Sequence, residues 1–275
     1  MRGGAGSALA DSRWPPRPAS LAWEWPQSCV VMCRDCACGE PAPDPAAVPA
    51  SAPRELTLHT ALLQRNDAGA AALRQRFVAA GVTAVNLLSS PGSGKTALLE
   101  ALAQRLDPTR LAVIVGDLAT DNDARRLQAA GVQAVQITTG QACHLEAAMV
   151  AEGLHRLSHQ GVALEPLELL VIENVGNLVC PGAYDLGESL RVVLLSTTEG
   201  EDKPLKYAPI FHGADLVLIS RADCLDQASL EGLTTRLQPQ MRPGAAVLPM
   251  ERGAVSPELV MGLERQEPHA TRNVH

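Results

Sequence analysis

The stretch "VTAVNLLSSPGSGKTALLEAL", residues 82–102, decides the fold. Its first half is an apolar run that reads as a buried strand. Its second half opens a segment of helical spacing. Between them lies "SSPGSGKT", Ser89 to Thr96. A strand, a Gly-rich turn and Lys-Thr opening a helix form a phosphate-binding loop. Backbone N–H groups across Ser90, Gly92, Ser93 and Gly94 and the helix N-terminus are placed to hold phosphate oxygens. Lys95 reaches toward the β- and γ-phosphates, and the Thr96 hydroxyl is a ligand for Mg²⁺. The strict pattern has Gly where Ser89 stands, so the match lacks its first position.

The chain downstream repeats the first strand's character. "LAVIVGD", "VQAVQIT", "LELLVIENV", "RVVLLST", "ADLVLIS" and "AAVLPM" are further apolar runs, and helix-like segments at 96–106, 121–130, 143–159, 226–238 and 256–266 separate most of them. Strands that are apolar throughout and alternate with helices predict an α/β fold, a mostly parallel sheet flanked by helices on both faces. Upstream, Leu56, Leu63, Leu73 and Phe77 have helical spacing, with a break expected near Asp67–Gly69.

Acids at strand ends are the next candidates. Asp117 closes "LAVIVGD", at the C-terminal end of a strand, where open α/β sheets bind ligands. It is placed to position an attacking water or to bind Mg²⁺ through water. Glu173 in "VIENVGN" stands where a switch-type D-x-x-G has Asp, and Gly176 offers a backbone N–H to a γ-phosphate. Asp121 and Asp123 read as acids at a helix N-terminus.

The rest of the chain bounds the function. The 275 residues carry a formal net charge of −7 and 19% charged side chains. An acidic balance argues against nucleic acid and membrane surfaces as partners, and no apolar run is long enough for a membrane helix. Seven cysteines, an odd count, fit a reducing compartment, here the cytoplasm, with thiols used for metal. Residues 1–31 read as a disordered extension upstream of a second start at Met32, 32–40 as a cysteine metal motif, 41–54 as a Pro/Ala linker, 55–268 as the P-loop domain and 269–275 as a tail. In "VMCRDCACGE", residues 31–40, Cys33, Cys36 and Cys38 form C-x-x-C-x-C. Three thiolates suit Ni²⁺ in a square plane or Zn²⁺ in a tetrahedron, and a start at Met32 would bring an α-amine beside them.

"GQACHLEAAMV" (140–150), "ENVGNLVCPGAYDLGE" (173–188) and "STTEGEDKPLKYAPIF" (196–211) together resemble the hydrogenase nickel-incorporation GTPase, the HypB family. The Cys33–Cys38 motif resembles that family's N-terminal nickel motif. The urease accessory GTPase is similar to a lesser degree, because it has Cys-Pro-His where Cys143 and His144 are adjacent here. The resemblance implies a SIMIBI-type GTPase domain. It implies GTP and Mg²⁺ as ligands, with Lys95, Asp117 and Glu173 as catalytic residues. It also implies a homodimer formed with nucleotide, a nickel-delivery partner and a hydrogenase large-subunit precursor as client.

Cys143, His144 and Cys180 match the family's second metal site, for Ni²⁺ or Zn²⁺. They fill three positions, leaving water or a second subunit to complete the set. Lys203 and Lys206 read as subunit contacts or as a solvated basic pair. The base-binding Asn-Lys-x-Asp is replaced by Ser220-Arg221-Ala222-Asp223. Arg221 is expected to stack on the base, and Asp223 to accept from guanine N–H groups. The alternatives are a metal-binding scaffold that hydrolyses nucleotide weakly and a urease-accessory-type GTPase. The seven histidines are scattered, which gives no sign of a storage tract.

Overall fold

The computed structural model describes residues 52–118, 122–199, 203–257 and residue 260, with side chains from residue 60 onward. The cysteine motif Cys33, Cys36 and Cys38 lies outside these residues, as do the 1–31 extension, Asp121 and most of the helix expected at 256–266.

All seven expected strands form. They are β1 (Thr83–Ser89), β2 (Leu111–Asp117), β3 (Gln133–Thr138), β4 (Leu169–Glu173), β5 (Leu190–Ser196), β6 (Leu216–Ser220) and β7 (Ala246–Met250). They make one sheet in the order β3-β2-β4-β1-β5-β6-β7, and every pairing is parallel. The helices are α1 (Ala52–Ala80), α2 (Lys95–Ala103), α3 (Asn122–Ala129), α4 (Ala147–His159), the short α5 (Lys203–Lys206) and α6 (Ala208–His212), and α7 (Gln227–Leu237).

Period-two alternation divides the apolar strand residues between two faces. Val85, Leu87, Val113 and Val171 pack on Leu98, Leu99 and Leu102 of α2 and Leu127 of α3. Ala84, Ile114, Leu170 and Ile172 pack on Leu73 and Phe77 of α1 and Val150 and Leu154 of α4. At the far end Leu88, Val193, Val217 and Ile219 meet Phe211 of α6 and Leu233 and Leu237 of α7. Both faces are covered, so the strands read as continuous apolar runs. The C-terminal ends of β1, β2 and β4 come together at one edge of this stack, and the candidate residues stand there.

Two helix expectations are corrected. α1 is continuous from Ala52 to Ala80, so it begins inside the stretch read as linker and does not break at Asp67–Gly69. Asn66 is buried there and its side chain serves two other segments, so the turn-forming residues mark a contact face. α4 begins at Ala147, with Glu146 at its N-cap. Cys143 and His144 therefore lie in the loop before the helix and do not open it.

Candidate functional site

The turn after β1 has the geometry its glycines demand. Gly92 and Gly94 have φ of +75° and +100°, values that side chains with a Cβ rarely adopt. Gly94 caps α2, which starts at Lys95. Ser89, the residue that departs from the strict pattern, is fully buried. Its Oγ accepts from Lys95 Nζ at 2.8 Å and donates to the Ser90 carbonyl at 2.8 Å. The substitution thus supplies a resting partner for the lysine.

A cleft of about 430 Å³ opens over this turn, and its lining includes Lys95, Thr96, Asp117, Asp123, Glu173 and Gly176. Five of these six were singled out in the sequence for phosphate chemistry. Asp123 was passed over as a helix-end acid, yet it accepts from the Thr96 hydroxyl at 2.9 Å. The signal was a second acid six residues past Asp117 on the ligand-binding side of the sheet. The Thr96 hydroxyl with the Asp123 carboxylate is a donor set suited to a hard divalent cation such as Mg²⁺. Asp117 turns its carboxylate to its own end of β2, accepting from the Leu118 N–H at 2.8 Å.

Burial lowers the pKa of Lys95, and the carboxylates around it, Glu173 foremost, oppose that drop. Glu173 is 3% exposed and its Oε2 has no hydrogen-bond partner. Burial raises its pKa to about 7, with Lys95 pulling the other way. Lys203, expected as a subunit contact or as one of a solvated basic pair, lies beside the phosphate turn. Its Nζ donates to Ser90 Oγ at 3.3 Å and lies 3.8 Å from Glu199. It is a second cation beside the phosphate turn.

The base-binding candidates stand at the end of β6. Ser220 donates to the Ser93 carbonyl at 2.7 Å, which ties the end of β6 to the phosphate turn. Arg221 adopts a left-handed backbone with φ +56° and points Nη1 at Thr198 Oγ1, 3.3 Å away. Asp223 is exposed in the short 3-10 turn that follows.

Cys143, His144 and Cys180 converge, with ligand atoms all within 4.8 Å of one another. Leu145 anchors the first two. Its side chain is fully buried over Gly116, where a Cβ would stand 2.8 Å from Leu145 Cγ. Its N–H donates to Asn174 Oδ1 at 3.0 Å. The His144 ring stacks on Tyr184 with centroids 3.8 Å apart. Its Nδ1 lies 3.7 Å from Cys143 Sγ, and its Nε2 faces Glu146 Oε1 at 3.8 Å. Burial lowers the His144 pKa, which favours the neutral form that ligates metal. Hydrogen bonding to Cys180, and then burial, raise the Cys143 pKa. Two sulfurs and a neutral imidazole fit a borderline ion such as Ni²⁺ or Zn²⁺.

The family description "CobW/HypB/UreG, nucleotide-binding domain" matches residues 83–249. The hydrogenase/urease maturation factor HypB of Helicobacter hepaticus is 51% identical over 172 residues, 62% of this chain and 70% of that one. The chain belongs to the HypB family. The hydrogenase maturation factor HypB of Azotobacter vinelandii is 54% identical over 175 residues, 62% of this chain and 55% of the relative. Among solved structures, HypB from Helicobacter pylori in complex with nickel superposes with a TM-score of 0.62 at 41% identity, covering 72% of this chain and 90% of that one. HypB from Archaeoglobus fulgidus gives 0.58 at 34% identity, covering 69% and 91%. The HypB-family assignment agrees with the parallel sheet, the phosphate turn and the cluster at Cys143. Among the described residues, no helix is long and apolar enough to cross a membrane.

Proposed function

We propose that this chain is a cytoplasmic GTPase that carries nickel for the maturation of [NiFe]-hydrogenase, with hydrolysis of GTP to GDP and phosphate gating metal transfer. One observation supports this reading above the others. The segment from Glu173 to Cys180 runs from the phosphate cleft into the metal cluster without interruption. Gly176 lines the cleft, and Asn177 holds the Cys143 carbonyl. A shift of this segment with the γ-phosphate must therefore move a metal ligand.

In this reading Lys95 and the turn Ser90–Gly94 bind the phosphates. Asp117 and Glu173 orient the attacking water, and Arg221 and Asp223 meet the base. Mg²⁺, held at Thr96, neutralises phosphate charge when bound. Cys143, His144 and Cys180 hold Ni²⁺ or Zn²⁺ as cargo, with the fourth position filled by water or by a second subunit in a nucleotide-bound homodimer. Cys33, Cys36 and Cys38 form a separate nickel site beyond the linker, on a segment preceding the domain. A nickel-delivery partner and the hydrogenase large-subunit precursor are the corresponding source and client. The nickel-bound relative and the maturation-factor relatives support the cargo and the pathway.

The test is a titration of Ni²⁺ and Zn²⁺ into the chain with Cys33, Cys36 and Cys38 changed to Ser, first with GDP and then with a non-hydrolysable GTP analogue. The expected difference in affinity is about 5–150-fold, the usual range of coupling between sites. Equal affinities in the two states would overturn the gating.

A second reading follows from Ser220. Its hydroxyl is engaged by the Ser93 carbonyl, so no side-chain amide is offered to a base at that position. A metal-binding scaffold with weak, poorly guanine-selective hydrolysis accounts for this contact. Phosphate release with GTP and with ATP separates the two readings.

A further inference from the structure

His155 and His159 lie four residues apart on the exposed face of α4. Their Nε2 atoms are 3.0 Å apart, and their rings meet edge to face with centroids 4.4 Å apart. Histidines at i and i+4 on one helix face are a chelating arrangement. The 3.0 Å separation is a hydrogen bond between the two rings, one Nε2–H donating to the other Nε2. An ion that displaces the shared proton takes both nitrogen lone pairs, and imidazole nitrogens suit Ni²⁺ and Cu²⁺.

We propose that His155 and His159 form a second, low-affinity chelate site for a divalent transition ion of the Ni²⁺ or Cu²⁺ class. The site is distinct from the cluster at Cys143 and independent of the nucleotide reading. It lies about 12–18 Å along α4 from the helix's first residue, at the C-terminal end, where the helix dipole favours a cation. The charges around it are balanced in part. Arg156, between the two histidines in sequence, is paired with Glu152 at 2.9 Å and donates to the Gln136 carbonyl at 3.0 Å. Arg125 lines the same cleft as His159. Two imidazoles alone make a bidentate site that captures and releases metal readily. Water fills the remaining positions.

The matched probe is Ni²⁺–nitrilotriacetate, which leaves two adjacent positions of an octahedral ion open. The untagged full chain with Cys33, Cys36 and Cys38 changed to Ser is bound to a surface carrying this complex and eluted with imidazole, beside His155→Ala, His159→Ala and the double variant in the same background. Both side chains are exposed, so the far-UV circular dichroism of all four proteins should agree. A chelate predicts that either single substitution weakens binding about a hundredfold, the usual gain from a second linked contact, and that the double variant is no weaker than the singles. Equal retention of the parent and the double variant would overturn the site. So would singles falling midway between parent and double, since that pattern belongs to two independent surface histidines.

Discussion

Asn177 bridges the two chemistries of this fold. Its side-chain amide donates to the Cys143 carbonyl at 3.3 Å, and its backbone forms an isolated antiparallel bridge with Ser89 at the start of the phosphate turn. The same residue thus touches the segment that carries Lys95's partner and the loop that carries two candidate metal ligands. Asn177→Ala removes the Cys143 contact and leaves the backbone bridge. A hydrogen bond of this kind contributes about 0.5–1.5 kcal/mol, so Ni²⁺ affinity should fall roughly two- to tenfold. The ratio of affinities with GDP and with a GTP analogue should move toward one. An unchanged ratio, read by chelator competition, would take Asn177 out of the coupling.

Lys95→Ala should abolish phosphate release. Nickel binding at Cys143, His144 and Cys180 should survive in the absence of nucleotide, because Lys95 makes its contacts with Ser89 and the cleft carboxylates. Ser89→Gly restores the strict loop pattern and deletes the lysine's resting partner. It should leave hydrolysis within about fivefold of the parent if phosphate displaces Ser89 from Lys95, since exchanging one hydrogen-bond partner for another is worth at most about a kcal/mol. Turnover by Lys95→Ala at the parent's rate would end the phosphate-loop assignment.

The cluster at Cys143 also depends on a residue far away in sequence. Asn66 of α1 accepts from the Ala147 N–H at 2.8 Å and donates to the Asp185 carbonyl at 2.8 Å. It clamps the start of α4 to the loop that follows Cys180. Asn66→Ala leaves two buried backbone groups unpaired, at a cost of about 2–4 kcal/mol, and should loosen the metal site along with the fold. Asn66→Asp keeps the acceptor but buries a carboxylate against the Asp185 carbonyl, so it should be at least as destabilising as Asn66→Ala at neutral pH. Thermal melts of the three proteins, with and without Ni²⁺, check the order. Equal melting temperatures would show that the clamp contributes nothing.

These residues show where the sequence was legible. The seven strands announced themselves because each is buried on both faces and so is apolar at successive positions, and the phosphate turn because its glycines and lysine sit at fixed offsets. Asp67–Gly69 reads as a break, because a polar residue and a glycine in mid-helix usually signal one. Gly69 is a contact residue, as is its neighbour Asn66: a Cβ on Gly69 would stand 3.1 Å from Ala147 Cβ. Asp123 was hidden by its position at a helix start, where acids are ordinary. Only the fold shows that Thr96 lies within reach. The pairing of His155 with His159 was present as spacing on an expected helix, yet a count of scattered histidines obscured it.

Glu173 makes stability depend on pH in the nucleotide-free protein. Its pKa stands at about 7 in the fold against an ordinary 4.5, chiefly through burial. The carboxyl is thus more readily protonated folded than unfolded. Its contribution to stability is complete below about pH 4.5 and is lost as pH rises through about 7. Above that the fold carries a buried carboxylate, and the difference between the two values corresponds to roughly 3 kcal/mol at most. Glu173→Gln holds a neutral group of the same shape at every pH. The variant should therefore match the parent near pH 5 and exceed it in urea denaturation at pH 8, with the gap opening between those values. At pH 8 the variant should also release no phosphate from GTP, if Glu173 orients the attacking water. The two readouts separate the roles: a variant no more stable at pH 8 than the parent would mean that Glu173 ionises without cost in the fold. One that still turns over would assign the water to Asp117 alone.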